Sequence, residues 1–373
     1  MEKRICLMMM AAAVRSLAAI AQVVDPEPGC LTADGPYIIY QSDSTARVIS
    51  VGLDGEITDT VGVVPQTFNV VSHDGRFSFD VSLHPTARQP WKMEKTPRTC
   101  MISDPHGRMD CLVSALQACG VVDESLGWAF GPNRLVLNGD VMDRGDDVTQ
   151  IFWLLYKLEA EAADAGGSVT FTYGNHEPMV LAGDLRYTRR KYLDLADSCG
   201  LSVPLLYGTD TEIGRWLSCC NTMVLIGDDL IVHAGTSAWL LEQDMDIPEI
   251  NSLCSRGAFM TSKERKDDSD LMYLMFKSSG PVWYRGFFYS AEKYGGKMDG
   301  RTLDAILRRY GASRVWVGHT IFRDIRTFFG GRVVAVDVDA KVNFDKGRGR
   351  AVLLEEGGRE MVVRDSGKSR KLR

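Results

Sequence analysis

One segment constrains this chain more than any other: residues 135–145, with the sequence LVLNGDVMDRG. An apolar run typical of a buried strand leads there into Gly139, Asp140, Asp143 and Arg144. In open α/β sheets, ligands bind in the crevice beyond the carboxyl ends of the strands, where loops can direct polar groups to one point. The segment therefore predicts a sheet that carries a functional site at one edge.

Strand-like and helix-like runs alternate around this segment. Residues 108–119 have the apolar spacing of an amphipathic helix. A second helix is predicted from Asp146-Asp147, where carboxylates suit the positive helix end, to about residue 166. A further strand is predicted over 168–173, and β structure returns near the end of the chain. This order predicts an α/β fold, classed as α+β in some schemes, with helices on the faces of a sheet.

Residues 30–90 predict a small antiparallel β unit that precedes the main domain. Short alternating runs flank two Asp-Gly pairs, at 54–55 and 74–75, which are typical of hairpin turns. The unit also contains His73 and His84, away from any suitable carboxylate cluster in the sequence. We expect both histidines to be surface or packing residues.

The main domain that follows this unit is predicted to span residues 98–366. A largely helical insertion is expected at about 239–280, and its charged run at 262–270 is interpreted as a solvated turn or helix end. The last residues, 367–373, are rich in lysine and arginine, and we expect a solvated basic tail there.

The N-terminus resembles a secretory signal peptide over residues 1–21. Two basic residues precede an apolar run at 5–14, and a small-x-small site follows at 19–21. This pattern predicts a periplasmic or secreted protein. Because Arg15 interrupts the apolar part, an ordinary N-terminal segment or a misassigned start, with a cytoplasmic location, is the alternative. No later run approaches the roughly 18 apolar residues of a membrane span.

Composition narrows the class of protein. With 45% apolar and 25% charged residues, the chain can bury a sizeable core, and its net charge of −6 argues against a broad nucleic-acid surface. Removal of a leader would take Cys6 and leave eight of the nine cysteines, an even number that permits disulfides. No CxxC pair is present, so buried or free thiols are favoured and a zinc-thiolate site is not.

Five polar motifs follow strand-like runs, at residues 104–107, 139–145, 174–177, 232–235 and 318–320. Four of the six histidines lie in these motifs. Oxygen and imidazole ligands without thiolate suit manganese, iron or zinc. Two carboxylates, three imidazoles and an amide are more than one ion needs, and they suit two ions that share Asp140, about 3.5–4 Å apart.

These motifs resemble those of the calcineurin-like metallophosphoesterases, and within them the phosphoprotein phosphatase superfamily. The segments that carry the resemblance read SDPHG, GDVMDRG, GNHE, VHAG and VGHT. Two further segments, GDLRY at 183–187 and GPVWYRG at 280–286, make the chain most similar to the Shewanella-like protein phosphatases. The resemblance covers about residues 99–339 and implies a β-sandwich flanked by helices.

The resemblance also implies a role for each site residue. Asp104, His106 and Asp140 would hold one metal ion, and Asp140, Asn175, His233 and His319 the other. Arg144 and Arg285 would bind the phosphate oxygens, and His176, paired with Asp143, would protonate the leaving oxygen. The implied activity is that of a dinuclear-metal phosphomonoesterase acting on phosphoproteins, phosphotyrosine included. The reaction would be in-line attack by a metal-bridging hydroxide, without a phosphoenzyme.

Three positions depart from the family pattern: Ser103 replaces a glycine, Pro105 stands between two ligands, and Ala234 stands where glycine is more frequent. The dinucleoside tetraphosphate hydrolases share the Ala234 feature, so a nucleotide or small-phosphoester hydrolase is an alternative. A non-catalytic binding protein of the same fold is a third. Arg285 could instead be a stacked structural residue, and Arg186 is expected to form an ion pair beneath the site.

Overall fold

The computed structural model describes residues 31–373, which form a two-sheet β-sandwich with helices on its outer faces. The strands are β1 (Asp34–Tyr40), β2 (Thr45–Val51), β3 (Ile57–Val63), β4 (Thr67–Val71), β5 (Ser78–Ser82), β6 (Lys92–Met93), β7 (Arg98–Ile102), β8 (Arg134–Leu137), β9 (Ser168–Phe171), β10 (Met223–Ile226), β11 (Asp229–Val232), β12 (Arg314–Val317), β13 (Arg326–Phe328), β14 (Val333–Ala335), β15 (Gly349–Glu355), β16 (Arg359–Arg364) and β17 (Ser369–Lys371). The helices are α1 (Met109–Ala118), α2 (Val148–Asp164), α3 (His176–Leu181), α4 (Arg190–Ser198), α5 (Val203–Leu206), α6 (Glu212–Ser218), α7 (Ala238–Glu242), α8 (Ile247–Ala258), α9 (Ser262–Asp268), α10 (Asp270–Met275), α11 (Gly300–Tyr310) and α12 (Ala340–Asp345).

The sandwich consists of two six-stranded sheets, ordered β6-β10-β11-β12-β14-β13 and β9-β8-β7-β15-β16-β17. A buried apolar cluster joins the two sheets and includes Met101 and Val136 from one, and Ile231 and Trp316 from the other. Alternate side chains of each strand point into this layer, as period-2 alternation requires. The predicted fold class, with its sandwich and flanking helices, is confirmed.

Strand direction brings the five polar motifs to one edge of the sandwich. β7, β8 and β9 run parallel, so that Ile102, Leu137 and Phe171 lie at the same level. In the other sheet β11 and β12 are also parallel. The loops that follow these five strands therefore leave the sandwich on the same side, and the helices α1, α2 and α3 begin shortly after the ends of β7, β8 and β9.

Both predicted helices form. α1 ends before Gly120, which adopts a left-handed φ of 70° and closes the helix without a Cβ penalty. α2 is almost wholly buried along its first three turns, because the sandwich covers one side and the N-terminal unit covers the other.

The N-terminal unit shares its core with the rest of the molecule. It comprises a three-stranded antiparallel sheet, β1-β2-β3, and the hairpin β4-β5, which confirms the two Asp-Gly turns. Trp153 of α2 donates a hydrogen bond from Nε1 to the carbonyl of Pro36 at 2.9 Å, and its ring meets Phe68 at 4.7 Å. One continuous buried cluster joins this unit to α2 and the outer face of the sandwich.

Two expectations about particular segments are wrong. The presumed tail at 367–373 contains β17, which pairs antiparallel with β16, and Leu372 is buried between the sheets. A strand forms because its backbone can satisfy the free edge of β16 and one leucine fills the core. The charged run at 262–270 forms the short helix α9, which begins with a capping box between Thr261 and Glu264.

The two histidines of the N-terminal unit behave differently. His84 is a packing residue as predicted, since its ring stacks on Tyr156 at 3.9 Å. His73, by contrast, does meet a carboxylate: its Nδ1 lies 2.8 Å from Asp147 Oδ2, and its backbone N–H donates to Asp147 Oδ1 at 2.6 Å. Asp147 is the residue before α2, so this pair fixes the β4-β5 hairpin to the helix that follows the central loop.

All seven described cysteines are free, and five of them are buried, which confirms the prediction for those residues. Within residues 31–373, every helix is too short or too polar to cross a bilayer. The expected leader at 1–21 lies outside the described residues and stays a prediction.

We predict that the contribution of His73 to stability depends on pH. The hydrogen bond and the charge of Asp147 outweigh partial burial and raise the pKa of His73. A raised folded-state pKa contributes stability that is fully present below the unfolded pKa, about 6.5, and is lost as pH rises through the folded pKa. His73→Gln should therefore lower the free energy of unfolding by about 0.5–1 kcal/mol at pH 5.5, a figure limited by solvent screening of a half-exposed ring.

Urea unfolding of both proteins across pH 5.5–9 at one metal concentration measures this difference. It should shrink toward high pH. A difference that is constant across the range, or that grows with pH, would contradict the charged pair.

Candidate functional site

The ligand-bearing loops leave their strands in left-handed backbone conformations. Asp104, His106, Asp140 and His319 have φ values of 55°, 47°, 57° and 62°. Such conformations cost about 1–3 kcal/mol each outside glycine and persist where the surrounding structure determines them. Four of them at one edge of the sandwich mark a site where the backbone is held so that side chains point inward.

Glycines allow these loops to approach one another. A Cβ on Gly174 would overlap the carboxylate of Asp140, and a Cβ on Gly318 would overlap the side chains of Ser103 and Asp104. Only hydrogen can occupy these positions while the carboxylates stay where they are. The glycines in the motifs are therefore spatial requirements of the site.

Glu177 joins the two central loops. Its carboxylate accepts backbone hydrogen bonds from Asp140 at 3.1 Å, Val141 at 2.7 Å, Met142 at 3.1 Å and Gly174 at 2.7 Å. The side chain is fully buried. Hydrogen bonds from a buried carboxylate to backbone N–H groups are the strong, charge-assisted kind, so Glu177 fixes the position of Asp140 relative to the GNHE loop.

Asp140 lies at the centre of the site. Its Oδ2 is 3.2 Å from Nε2 of His233, 3.7 Å from Nε2 of His106 and 3.9 Å from Nε2 of His176. Asp104 is adjacent, with Oδ1 4.0 Å from Nε2 of His233. One carboxylate thus stands within 4 Å of imidazoles from three different loops.

The ring nitrogens of two histidines are oriented by backbone carbonyls. Nδ1 of His106 donates to Met142 O at 2.9 Å, and Nδ1 of His233 donates to Asn138 O at 2.7 Å. With Nδ1 held in this way, each ring directs its Nε2 toward Asp140. This is the arrangement of metal-binding histidines, whose second nitrogen is held by an outer hydrogen bond.

Three buried polar atoms in the site have no hydrogen-bond partner among the described residues: Asn175 Oδ1, His233 Nε2 and His319 Nε2. Buried polar atoms without partners are rare in proteins, because desolvation is then uncompensated. All three are atoms that coordinate metal ions, so the residues present fit the metal group that the sequence predicts.

The electrostatics of the site favour bound cations. Burial opposes ionisation of Asp140, but the neighbouring His233 and His176 outweigh it and hold the pKa of Asp140 well below its usual range. Burial likewise opposes a charged His233, and the charges of Asp140 and Asp104 raise its pKa to about 10. Burial and the charge of Asp140 raise the pKa of Asp104 to about 7, although His233 opposes the shift, so a bound cation would offset the repulsion between the two carboxylates.

Two groups of three residues could each hold a metal ion, because the ligand atoms within each group lie within 4.8 Å of one another. One group is His106, Asp140 and His176, and the other is Asp140, His233 and His319. The second group matches the predicted second ion. The first contains His176 in the place that the resemblance implies for Asp104. The hydrogen bond between His176 Nδ1 and Asp143 suits a metal ligand and a proton donor equally, so this contact alone does not assign His176 to an ion.

His176 and Asp143 form a close pair. Nδ1 of His176 lies 2.6 Å from Asp143 Oδ2, and Thr188 donates to Asp143 Oδ1 at 2.7 Å. Burial opposes the charged imidazole, but the charges of Asp140 and Asp143 outweigh burial and raise the pKa of His176. The ring can thus carry a proton on Nε2 that faces the ligand cluster.

The two predicted phosphate-binding arginines stand on different sides of the cluster. Nη2 of Arg144 lies 3.4 Å from Nε2 of His176. Arg285 donates from Nη1 to Thr320 Oγ1 at 3.4 Å, next to His319. Arg186 forms the expected ion pair, with two 2.8 Å hydrogen bonds to Asp184.

The departures from the family pattern are accommodated locally. The residues on both sides of Pro105 donate backbone hydrogen bonds to the loop after β8: Asp104 N to Gly139 O at 3.1 Å, and His106 N to Asp140 O at 3.0 Å. Proline has no backbone N–H, so its presence between them removes neither of these hydrogen bonds. The hydroxyl of Ser103 lies within hydrogen-bonding reach of the carboxylate of Asp104.

Ala234 is accommodated in the same way. Its N–H and that of Gly235 both donate to the carbonyl of Pro281, at 3.0 and 3.2 Å. This contact fixes the segment that carries Arg285 against the loop after β11.

Every predicted site residue lies at this edge, and the structure adds residues that the sequence did not single out. In the sequence Glu177 is the last residue of the GNHE motif, but nothing there indicated its structural role. Thr188 gave no signal at all. Asp337, at the end of the strand pair β12-β14, is a further buried carboxylate; burial and then the charge of Asp104 raise its pKa well above the usual range.

Comparison with known proteins places the chain among phosphoesterases. The sequence model of a family described as calcineurin-like phosphoesterase matches residues 97–322. An Arabidopsis thaliana protein named Shewanella-like protein phosphatase 2 is 39% identical over 103 residues, which are 28% of this chain and 26% of that protein. The Plasmodium berghei protein named Shewanella-like protein phosphatase 1 is 30% identical over 229 residues, 59% of this chain and 60% of that protein. The matches thus cover less than two thirds of both relatives.

A solved structure extends the likeness to nearly the whole chain. The cold-active protein-tyrosine phosphatase of a psychrophilic Shewanella species is 32% identical, with a TM-score of 0.81. The alignment covers 91% of this chain and 99% of that one.

We predict that Glu177→Gln destabilises the site and the protein. An amide would turn an NH2 group toward two backbone N–H donors that now share one carboxylate oxygen, leaving them unsatisfied. The expected loss is about 2–4 kcal/mol in the free energy of unfolding, together with weaker metal binding. Chemical unfolding and metal analysis of the purified variant measure both, with Glu124→Gln, an exposed position, as the control. Equal stability and metal content in the two variants would contradict the role of Glu177.

Proposed function

The chain belongs to the calcineurin-like phosphoesterase family, and from this premise we propose that it is a two-metal phosphomonoesterase that acts on phosphoproteins, with phosphotyrosine as a substrate. The observation that carries the proposal is that the imidazoles of His106, His176 and His233, which come from three loops, lie within 4 Å of Asp140. One of them, His176, also pairs with Asp143. The substrate is proposed because the Shewanella protein with 32% identity is a protein-tyrosine phosphatase.

The proposed ligand set has Asp140 in common to both ions. Asp104 and His106 complete the first site, while Asn175, His233 and His319 complete the second. Ions of manganese, iron or zinc suit these oxygen and nitrogen donors. When bound, such ions would lower the pKa of a coordinated water and offset the charge of a phosphoryl group.

Arg144 and Arg285 bind the phosphoryl oxygens from two sides. A guanidinium presents planar pairs of donors that match phosphate oxygens. Arg144 is next to the proton donor and Arg285 next to His319, so a phosphoryl group between them has its leaving oxygen directed toward His176. The two arginines therefore set the orientation of the ester bond as well as the affinity for the phosphoryl group.

His176 protonates the leaving oxygen from Nε2. Asp143 holds the proton on Nδ1 and stabilises the charged ring, and Thr188 keeps the carboxylate in place. This assistance matters most when the leaving group is a strong base, because an unprotonated alkoxide or phenoxide leaves slowly.

A substrate panel tests the proposal as a whole. The metal-loaded protein is assayed on a phosphotyrosine peptide, a phosphoserine peptide of the same sequence, a dinucleoside tetraphosphate and p-nitrophenyl phosphate. We expect turnover of the phosphotyrosine peptide with the highest kcat/KM. Preference for the dinucleotide, which the Ala234 feature would favour, would replace the proposal, and no turnover of any substrate would support a binding protein instead.

We predict that Asp140→Asn loses metal and activity together. A neutral amide cannot serve as a charged ligand between two ions, so kcat/KM on p-nitrophenyl phosphate should fall by at least about a hundredfold. Elemental analysis should show less than the wild-type metal content. Asp267→Asn, an exposed aspartate on α9, is the control and should match the wild type. Retention of both ions in Asp140→Asn would show that this carboxylate is not shared.

We predict that His176→Asn keeps its metal and loses rate in proportion to leaving-group basicity. The loss in kcat should be on the order of 10²–10⁴ on phenyl phosphate and much smaller on p-nitrophenyl phosphate, whose leaving group needs no proton. A series of substituted phenyl phosphates measures this slope. Equal loss across the series would count against the proton-donor role, and lost metal would point to His176 as a ligand.

A further inference from the structure

The loop between α3 and α4, residues 183–188, is fixed to the proton-donor pair at two points. Thr188 donates to Asp143, as described above, and the backbone carbonyl of Tyr187 accepts a hydrogen bond from Arg144 N at 3.0 Å. Asp184 N also donates to Met179 O at 2.8 Å, which closes the end of α3. The position of the loop is therefore coupled to the same residues that hold His176.

The position of this loop brings the ring of Tyr187 beside His176, the proposed proton donor. The centres of the Tyr187 and His176 rings are 5.4 Å apart, with an angle of 50° between the ring planes. The side chain is nonetheless 43% exposed, which is unusual for a large aromatic residue next to a buried site. The hydroxyl of Tyr187 makes no hydrogen bond within residues 31–373, so the ring is the part of the side chain that is held in place.

Two guanidinium groups limit the movement of this ring. The Cζ atoms of Arg144 and Arg186 lie 5.5 and 5.6 Å from its centroid. Arg186 is itself fixed by Asp184, and about two thirds of its side chain is exposed. The ring is thus pre-positioned at the mouth of the site before any substrate arrives, which reduces the entropy lost on binding.

The chemistry of the site determines what this ring meets. If His176 protonates the leaving oxygen, the carbon to which that oxygen is bonded must lie next to His176, and hence next to Tyr187. Trp283 meets His319 instead, with ring centres 5.5 Å apart. Of these two aromatic rings beside the site, Tyr187 is the one adjacent to the leaving group.

We propose that Tyr187 is a specificity-determining residue that contacts the leaving group and selects aryl over alkyl phosphomonoesters. This inference rests on the proposed function and names the residue that sets the preference. A phenyl leaving group gains an aromatic contact with Tyr187, whereas phosphoserine presents only a methylene group there and has no ring to pack against it. Aromatic pairs contribute enough beyond burial to change kcat/KM by roughly tenfold.

The test compares Tyr187→Ala, Tyr187→Phe and the wild type on matched phosphotyrosine and phosphoserine peptides. Tyr187→Ala should lose about tenfold in kcat/KM on the phosphotyrosine peptide and less than about twofold on the phosphoserine peptide. Tyr187→Phe keeps the ring and should stay within about twofold of the wild type on both. The matched control is Tyr289→Ala, because this tyrosine is 49% exposed and packs against none of the described imidazole rings; it should leave the ratio unchanged.

The outcomes separate this inference from the proposed function. A wild type that hydrolyses neither peptide removes the proposed function itself. A wild type that is active, with equal losses on both peptides in Tyr187→Ala, would overturn the specificity role and leave Tyr187 as a support for His176. A Tyr187→Phe variant as impaired as Tyr187→Ala would overturn it as well, since the hydroxyl and not the ring would then be responsible.

Discussion

The four backbone hydrogen bonds accepted by Glu177 are the interaction on which the rest of the site depends. They hold the loop after β8 against the loop after β9, so that Asp140 projects between imidazoles supplied by other strands. A backbone with φ near 57° at Asp140 would relax without such a constraint. Because the carboxylate is buried and satisfied by N–H groups alone, it remains an acceptor and leaves the charge of Asp140 available to cations.

A second network supports the same loop from the N-terminal unit. Buried Lys191 donates to the carbonyls of Asp146 at 2.6 Å and Ala33 at 3.2 Å, and lies 3.4 Å from Asp34. Together with the His73–Asp147 pair, it connects the N-terminal unit to the segment that follows Arg144. A buried ion pair adds little net stability, but loss of either partner leaves an uncompensated charge, so the unit and the site are energetically linked. The N-terminal strands are therefore part of the scaffold of the site.

The site divides its functions between two sides of Asp140. On one side His233, Asn175 and His319 offer unpartnered ligand atoms, and Arg285 approaches from Thr320. On the other side are His176, Asp143 and Arg144, the proposed proton donor and its neighbours, with Tyr187 at the solvent boundary. The proposed roles nevertheless share loops, because Asp140, Asp143 and Arg144 all follow β8, while Asn175 and His176 both follow β9.

The sequence by itself predicted the fold class and the residues that the structure brings together around Asp140, but not those that hold them in place. Period-2 apolar runs that end in glycine and charge predict strands with functional loops, and the ligand types follow from the residues in those loops. The same local reasoning found α1 and α2, whose apolar spacing and end signals lie within a single stretch of chain. Each of these features depends on residues close together in sequence.

Only the tertiary structure decided which of the remaining residues matter. Glu177 acts through N–H groups of residues up to 37 positions away, and His73 meets a carboxylate 74 positions away. The last residues become a strand because the edge of β16 is open to them, and Tyr187 borders the proton donor because its loop is bound to Asp143 and Arg144. Contacts between distant segments leave no local pattern in composition or periodicity, since they arise only when strand direction and packing bring those segments together.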